Sequence, residues 1–233
     1  MSAGTPTLSL PPLLRGSGSP VLTGLVGAVQ TFILLTMLLL LIPNPRNRED
    51  NTSGVLGLLG IAEWLRDKPA LRERVQLAFV DNEELGLLGS AALRSWWHET
   101  GHPYADAAIV NLDCISRATI PLVVHHGESG LAARLLPHVQ EQLPRAILLN
   151  AGVLPLSDNY TFRELGAVDI SLADPAVLPG GYTIPRIHTP RDNTFHLERF
   201  TYLMTGLCDF LAAEIAAREE ARSTRSSGVP AAP

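Results

Sequence analysis

Between Arg15 and Arg46 the chain carries no charged residue. A helix needs about 20 apolar residues to cross the hydrocarbon core of a membrane, and residues 21–43 supply such a run. We read them as a single transmembrane helix that sets the protein in a lipid bilayer. A cleaved signal peptide fits less well, because the run is longer than a usual apolar region, the residues before it are not basic and no A-x-A site follows. The other use of such a run is a buried strand or helix of the globular domain. Residues 1–20, rich in Ser, Gly, Pro and Thr, read as a flexible leader. Arg46 and Arg48 after the run, against Arg15 before it, lean the C-terminal domain weakly towards the cytoplasm.

Residues 47–217 alternate two periodicities. Residues 54–66 carry a helical stripe of Val55, Leu58, Leu59, Ala62 and Leu65. Residues 75–80 form a short, almost wholly apolar run, the pattern of a strand covered on both faces. Further helices are expected at 85–100, 131–143 (with Pro137 inside) and 159–165, and one starts near Leu197. Further strands are expected at 107–112, 120–124, 146–149 and 168–172, and a Pro/Gly-rich loop spans 174–185. Strand and helix signals in turn predict an α/β domain with a mainly parallel central sheet sandwiched by helices. Residues 218–233 lose the apolar period and read as a solvated, disordered tail.

Composition narrows the function classes. The chain is 46% hydrophobic and 18% charged, which excludes overall disorder. Its net charge of −5 comes without a basic block, so nucleic acid is not an expected partner. Cys114 and Cys208 match no disulfide framework or metal-cluster spacing and read as small buried residues. Nothing in the sequence sets an oligomeric state.

The polar residues gather where the strands end. The run 75–80 leads into Asp81-Asn82-Glu83-Glu84, and 107–112 leads into Asp113. Asp50 precedes the helix that opens at Thr52-Ser53-Gly54, and His188 closes the long loop. Ligands of open α/β sheets bind beyond the carboxyl ends of strands. Four carboxylates in one pocket repel one another unless some are protonated or a cation joins them, and Asp, Glu and His together are zinc ligands. Each residue taken singly has an ordinary alternative. Asp50 can be an N-terminal helix acid, Glu83 and Glu84 can open the next helix, and His188 can bond to loop backbone.

Five stretches, in order, resemble metallopeptidase family 28, the family of zinc aminopeptidases, some carboxypeptidases and glutaminyl cyclases. They are Asp50-Asn51-Thr52-Ser53-Gly54, the run from Phe79 through Asp81-Asn82-Glu83-Glu84-Leu85-Gly86 to Ser90, Asn111-Leu112-Asp113, Ser157-Asp158-Asn159-Tyr160-Thr161-Phe162, and His188-Thr189-Pro190-Arg191-Asp192. The resemblance implies a zinc-dependent peptidase, aminopeptidase-like, acting on peptide substrates. It implies Asp50 as the carboxylate bridging two zinc ions and Glu83 as the general base towards metal-bound water. It further implies Glu84 as a ligand of one zinc, Asp113 and His188 as ligands of the other, and Ser157, Asp158 and Tyr160 as lining the substrate pocket. Asp192 either orients His188 from behind or caps the following turn.

One motif of the family is missing. A histidine in an H-x-D pattern normally precedes the bridging aspartate, and here no histidine occurs before His98. The zinc site of Glu84 then lacks a ligand, while Asp50, Asp113 and His188 keep the three of an open catalytic site, so one zinc and two are both open. Glu49 and Asn47 offer oxygen atoms nearby but read as solvated loop side chains. Two functional classes follow: a membrane-anchored zinc peptidase, and a catalytically impaired or inactive peptidase-fold domain that serves a membrane protein as a binding module.

Overall fold

The computed structural model of the protein describes residues 20–40, 46–154, 156–177 and 180–226. It divides into two units, residues 1–43 and 44–233. In the first, Pro20–Leu40 forms helix α1. Leu25, Val29, Phe32, Ile33 and Leu35 on this helix are exposed. The Thr31 hydroxyl donates back to the Gly27 carbonyl at 2.8 Å, so that polar group is satisfied within the helix. Residues 1–19 of the expected leader 1–20, and the end of the expected span, 41–43, lie outside the described residues, while Pro20 opens α1.

The second unit is an α/β domain whose central sheet is flanked by helices. Its strands are β1 (Val110–Leu112), β2 (Ile120–His125), β3 (Ile147–Asn150), β4 (Val168–Pro175) and β5 (Tyr182–Thr183). The order is β1-β4-β2-β3, with β5 on the end of β4. The sheet is mixed rather than mainly parallel. β1 pairs β4, and β2 pairs β3, in parallel. β4 runs antiparallel to both β2 and β5. The link 113–119 carries no helix, and a parallel crossover needs a dozen or more residues. β2 therefore returns in the opposite direction to β1, with β4 between them.

Residues alternate across the sheet. Val123 of β2, with Val168, Ile170 and Leu172 of β4, faces one core. Leu122 and Val124 of β2, with Ala173 of β4, face a second. The larger core is closed by α2 (Gly54–Leu65), α5 (Gly130–Gln142) and α6 (Leu197–Ser226), through Ile61, Leu135, Val139, Leu203, Leu207 and Phe210. α5 and α6 cross closely, since a Cβ on Gly206 would stand 2.5 Å from the His138 carbonyl oxygen. A short helix α3 (Pro69–Arg72) follows α2. α4 (Leu88–Glu99) and a 3-10 helix at Asp158–Leu165 pack together, joined by Trp97 and Phe162.

Two of the expected elements also need correction. Residues 75–80 form no strand: Val75 and Leu77 pack on the core, while Phe79 and Val80 are exposed. Among the described residues β1 has only β4 as a ladder partner, so an apolar run with strand composition lies beside the sheet without joining it. At the other end, α6 continues to Ser226 through residues placed in the expected tail. Buried Glu214 explains this, taking a two-pronged bond from Arg134 (both 2.8 Å) and one from Arg218 at 2.7 Å. Arg74 also reaches Glu219 at 3.1 Å. Residues 227–233 lie outside the described residues.

Glu49 is fully buried, not a solvated loop side chain. Its Oε1 accepts from the backbone N–H groups of Ser116 and Arg117, both at 2.9 Å, and its Oε2 accepts from the Ser116 hydroxyl. It ties the turn Arg48–Ser53 to the loop after β1. Glu49→Ala leaves two buried donors of Ser116 and the partly buried Arg117 N–H unmatched, at about 1–3 kcal/mol for each buried one. We expect urea unfolding to show a loss of about 3 kcal/mol or more for Glu49→Ala and a clearly smaller loss for Glu49→Gln, which retains an acceptor. Equal, small losses for both would show that this carboxylate does not hold the loop.

Candidate metal centre

The acidic residues line a cleft of about 750 Å³ with Asp50, Glu83, Glu84, Asp113 and His188 in its wall. They reach it on four segments, Glu83 and Glu84 sharing one. Asp50 sits in the turn Arg48–Ser53. That turn is fixed from three sides. The buried Asp192 carboxylate accepts from the N–H groups of Glu49 and Asp50, each at 3.0 Å. The Asn51 side chain donates to the Leu112 carbonyl at 2.9 Å and accepts from Gly54 N–H at 2.9 Å. The Ser53 hydroxyl donates to the Glu49 carbonyl at 2.6 Å and accepts from Ile115 N–H at 2.9 Å. Gly54 is required here, because a Cβ would lie 2.3 Å from the Leu112 carbonyl oxygen.

Glu83 and Glu84 stand on a turn between the run 75–80 and α4. Asn82 and Leu87 bracket it with φ of 55° and 60°. Cys114 and His188 also take left-handed backbone, at 57° and 56°. Such non-glycine conformations are costly and cluster at functional sites; three of these four, Leu87, Cys114 and His188, line the cleft.

The distances bring most of the expected residues together. His188 Nε2 lies 3.0 Å from Asp50 Oδ2 and 2.5 Å from Glu84 Oε1. Asp50, Glu84 and His188 offer ligand atoms all within 4.8 Å of one another, and so do Asp50, Asp113 and Cys114. Asp50 thus belongs to both groups. His188 stands with Glu84, whereas the family resemblance pairs it with Asp113.

Asp113 is the cleft end of a relay that runs back to buried Asp169. Its Oδ2 accepts from the Ser157 hydroxyl at 2.7 Å. Ser157 Oγ accepts from Asn111 Nδ2 at 2.8 Å, and Asn111 Nδ2 also reaches Asp169 Oδ1 at 2.9 Å. Ser157 therefore holds a carboxyl group. Asp158 faces the groove on the other side, lined by Val80, Ser90 and Trp97, and its Oδ1 has no hydrogen-bond partner. Of the three expected pocket residues only Tyr160 lines the cleft. Asp192 acts on the backbone of Asp50, and its own N–H closes a turn on the Thr189 carbonyl at 2.9 Å.

The electrostatics follow from crowding. Burial, then the charges of Asp113, Glu84, Asp158 and Asp50, push the Glu83 carboxyl up to about 8. Burial raises Asp113 to about 6, with Asp50 adding to it and the Ser157 bond opposing it. Bonds to Asp50 and Glu84 hold the His188 imidazolium up to about 10, and His188 in turn lowers Glu84. The site draws in protons because burial penalises the charged carboxylates and because their charges repel one another. A divalent cation relieves the same repulsion, and the donor set of carboxylate oxygens and one imidazole nitrogen fits zinc.

Several contributors escaped the sequence reading. Asn51 and Ser53 lie inside a quoted motif, but their role in holding its shape does not. Cys114, read as a small buried residue, is buried and also donates to Asp113. Asp169 is buried behind Asp113, its carboxyl held well above the usual range by burial; the polar alternation Asp169, Ser171 within an apolar strand was its only signal.

In fold the domain is similar to two solved enzymes. The LapA aminopeptidase of Legionella pneumophila matches with a TM-score of 0.54 at 19% identity, over 72% of this chain and 45% of LapA. BSAP, a zinc aminopeptidase from Bacillus subtilis, matches with a TM-score of 0.52 at 22% identity, over 74% of this chain and 43% of BSAP. The chain spans less than half the length of either. No curated protein matches it. The sequence pattern of peptidase family M28 fits residues 48–207, a stretch that takes in all five motif segments, and the chain therefore belongs to peptidase family M28.

Proposed function

We propose that the chain is a membrane-anchored zinc peptidase, aminopeptidase-like, that hydrolyses peptide bonds with Glu83 as general base. The observation that carries this reading is the convergence of Asp50, Glu84, His188 and Asp113 on one cleft beside Glu83. Asp50, Glu84, Asp113 and His188 would hold the metal, with Cys114 as a neighbour. Zinc, when bound, polarises a substrate carbonyl and eases the ionisation of water. Glu83 takes the proton of the attacking water and passes it to the leaving amine. Burial is the first cause of its raised pKa, and a base poised near neutrality suits that exchange. Asp192 and Asn51 keep the Asp50 turn in shape, and Ser157 orients Asp113. Aminopeptidase specificity is taken from the two enzymes of similar fold.

One observation favours the second reading, an inactive domain used for binding: His188 is the sole imidazole in either group of candidate ligands among the described residues. Glu83→Gln separates the two. It keeps the shape and removes the proton acceptor, so turnover on aminoacyl and peptide substrates should fall by about two to four orders of magnitude, with zinc content and melting temperature near wild type. Loss of zinc would mean that the two glutamates carry each other's roles. A wild type that hydrolyses nothing with zinc supplied would favour the binding domain.

The anchor is assigned to α1. Its 21 residues span about 30 Å, and its exposed apolar side chains match a lipid environment. By length and composition, the helix among the described residues that would cross a membrane is Leu197–Thr224. That segment is 44% buried in its most apolar window, and Leu203, Leu207 and Phe210 spend its apolar face on the core. The cytoplasmic lean of the domain rests on Arg46 and Arg48. We expect the full chain to stay with membranes through an alkaline carbonate wash and a chain beginning at Asn47 to remain in the aqueous phase. Release of the full chain by carbonate would overturn the anchor.

A further inference from the structure

The cleft is charged unevenly. Its acids stand on the turns and loops around Asp50, while α4 and the 3-10 helix bring two guanidinium groups, Arg94 and Arg163, to the lining. Arg94 is already engaged: it pairs with Glu164 and donates to the Thr161 carbonyl at 2.8 Å. Arg163 is different. Its guanidinium lies over the Tyr160 ring, 4.1 Å from the centroid, and one N–H donates to the Tyr160 carbonyl at 2.9 Å. Among the described residues no carboxylate forms an ion pair with it. A guanidinium has five N–H donors, so most of its donors remain open. Stacking on an aromatic face fixes the plane and leaves the edge free for the two-pronged bond that a carboxylate makes. This is a cation held in place before any partner arrives.

We infer that Arg163 is a specificity-determining residue that receives the C-terminal carboxylate of a short peptide, so that the site takes free dipeptides and tripeptides in their zwitterionic form. The inference rests on the peptidase reading of the same cleft. Charge and size support it. The ammonium end of such a peptide is drawn to the acids, and its carboxylate end to the one open guanidinium. An extended residue spans about 3.3–3.6 Å, and a cleft of about 750 Å³ lies within the usual range for small ligands. Leu156, Ile184 and Ile187 in the lining offer apolar surface for a side chain. A longer chain or a capped C-terminus would put a neutral group against Arg163.

The test compares leucylglycine and leucylglycylglycine as free acids with the same peptides as C-terminal amides, on the full, zinc-loaded chain in detergent. The acids should have a kcat/KM higher by about tenfold to a hundredfold, the range of a hydrogen bond between charged groups. Arg163→Gln should bring the acid-to-amide ratio towards one, and Arg163→Lys should keep part of it. Calorimetric Kd values for the same pairs, measured on Glu83→Gln to suppress turnover, should show the same preference and lose it in Glu83→Gln/Arg163→Gln. If no peptide is hydrolysed, the peptidase reading fails and the Kd comparison alone decides the role of Arg163. If Arg163→Gln does not fold, the acid-to-amide ratio of the wild type and of Arg163→Lys decides. Acids and amides treated alike, whether both are bound or neither is, would overturn the inference.

Discussion

Four carboxyl groups share one cleft with a single imidazole, and the domain is built to hold them there against their repulsion. Asp50 cannot swing away, because buried Asp192 grips its N–H and that of Glu49. Asp113 is held by Ser157, and Ser157 by Asn111. The loop that follows Asp113 is clamped by Glu49. These bonds fix the acids in positions that raise Glu83 and Asp113 above their ordinary range. A fold gains nothing in stability from such crowding. The arrangement makes sense when a cation is the partner, and membership of peptidase family M28 implies zinc.

Much of this was legible in the sequence because two periods carry it. The helical stripe of Val55, Leu58 and Leu65 and the apolar runs at 120–124 and 168–172 mark α2, β2 and β4 within a few residues. The motif segments mark Asp50, Glu83, Glu84, Asp113 and His188, and these five line one cleft. Strand direction was not read from composition, although the short link 113–119 contains it. Whether residues 75–80 pair depends on a neighbouring strand, which no property of the run itself reveals. The reach of α6 past residue 217 depends on Arg134 and Arg218 meeting Glu214, a contact across distant segments. Glu49 looked like a loop acid, and only its three donors explain its burial.

The departure from the family pattern now has a structural counterpart. No histidine precedes Asp50 in the sequence, and among the described residues β1 pairs only with β4, the run 75–80 lying unpaired beside it. His188 stands with both Asp50 and Glu84, and Cys114 stands with Asp50 and Asp113. Each of these groups among the described residues has three donors. This sharing is specific: it makes His188 the single imidazole on which the metal reading turns.

Zinc bound per chain, measured on the detergent-purified wild type and on His188→Ala, tests that reading most directly. A protein whose cleft holds zinc through His188 should bind the metal as wild type and lose affinity by at least about tenfold in the variant, with α-helix and sheet content unchanged. Equal zinc in the two, or none in a folded wild type supplied with the metal, would contradict it.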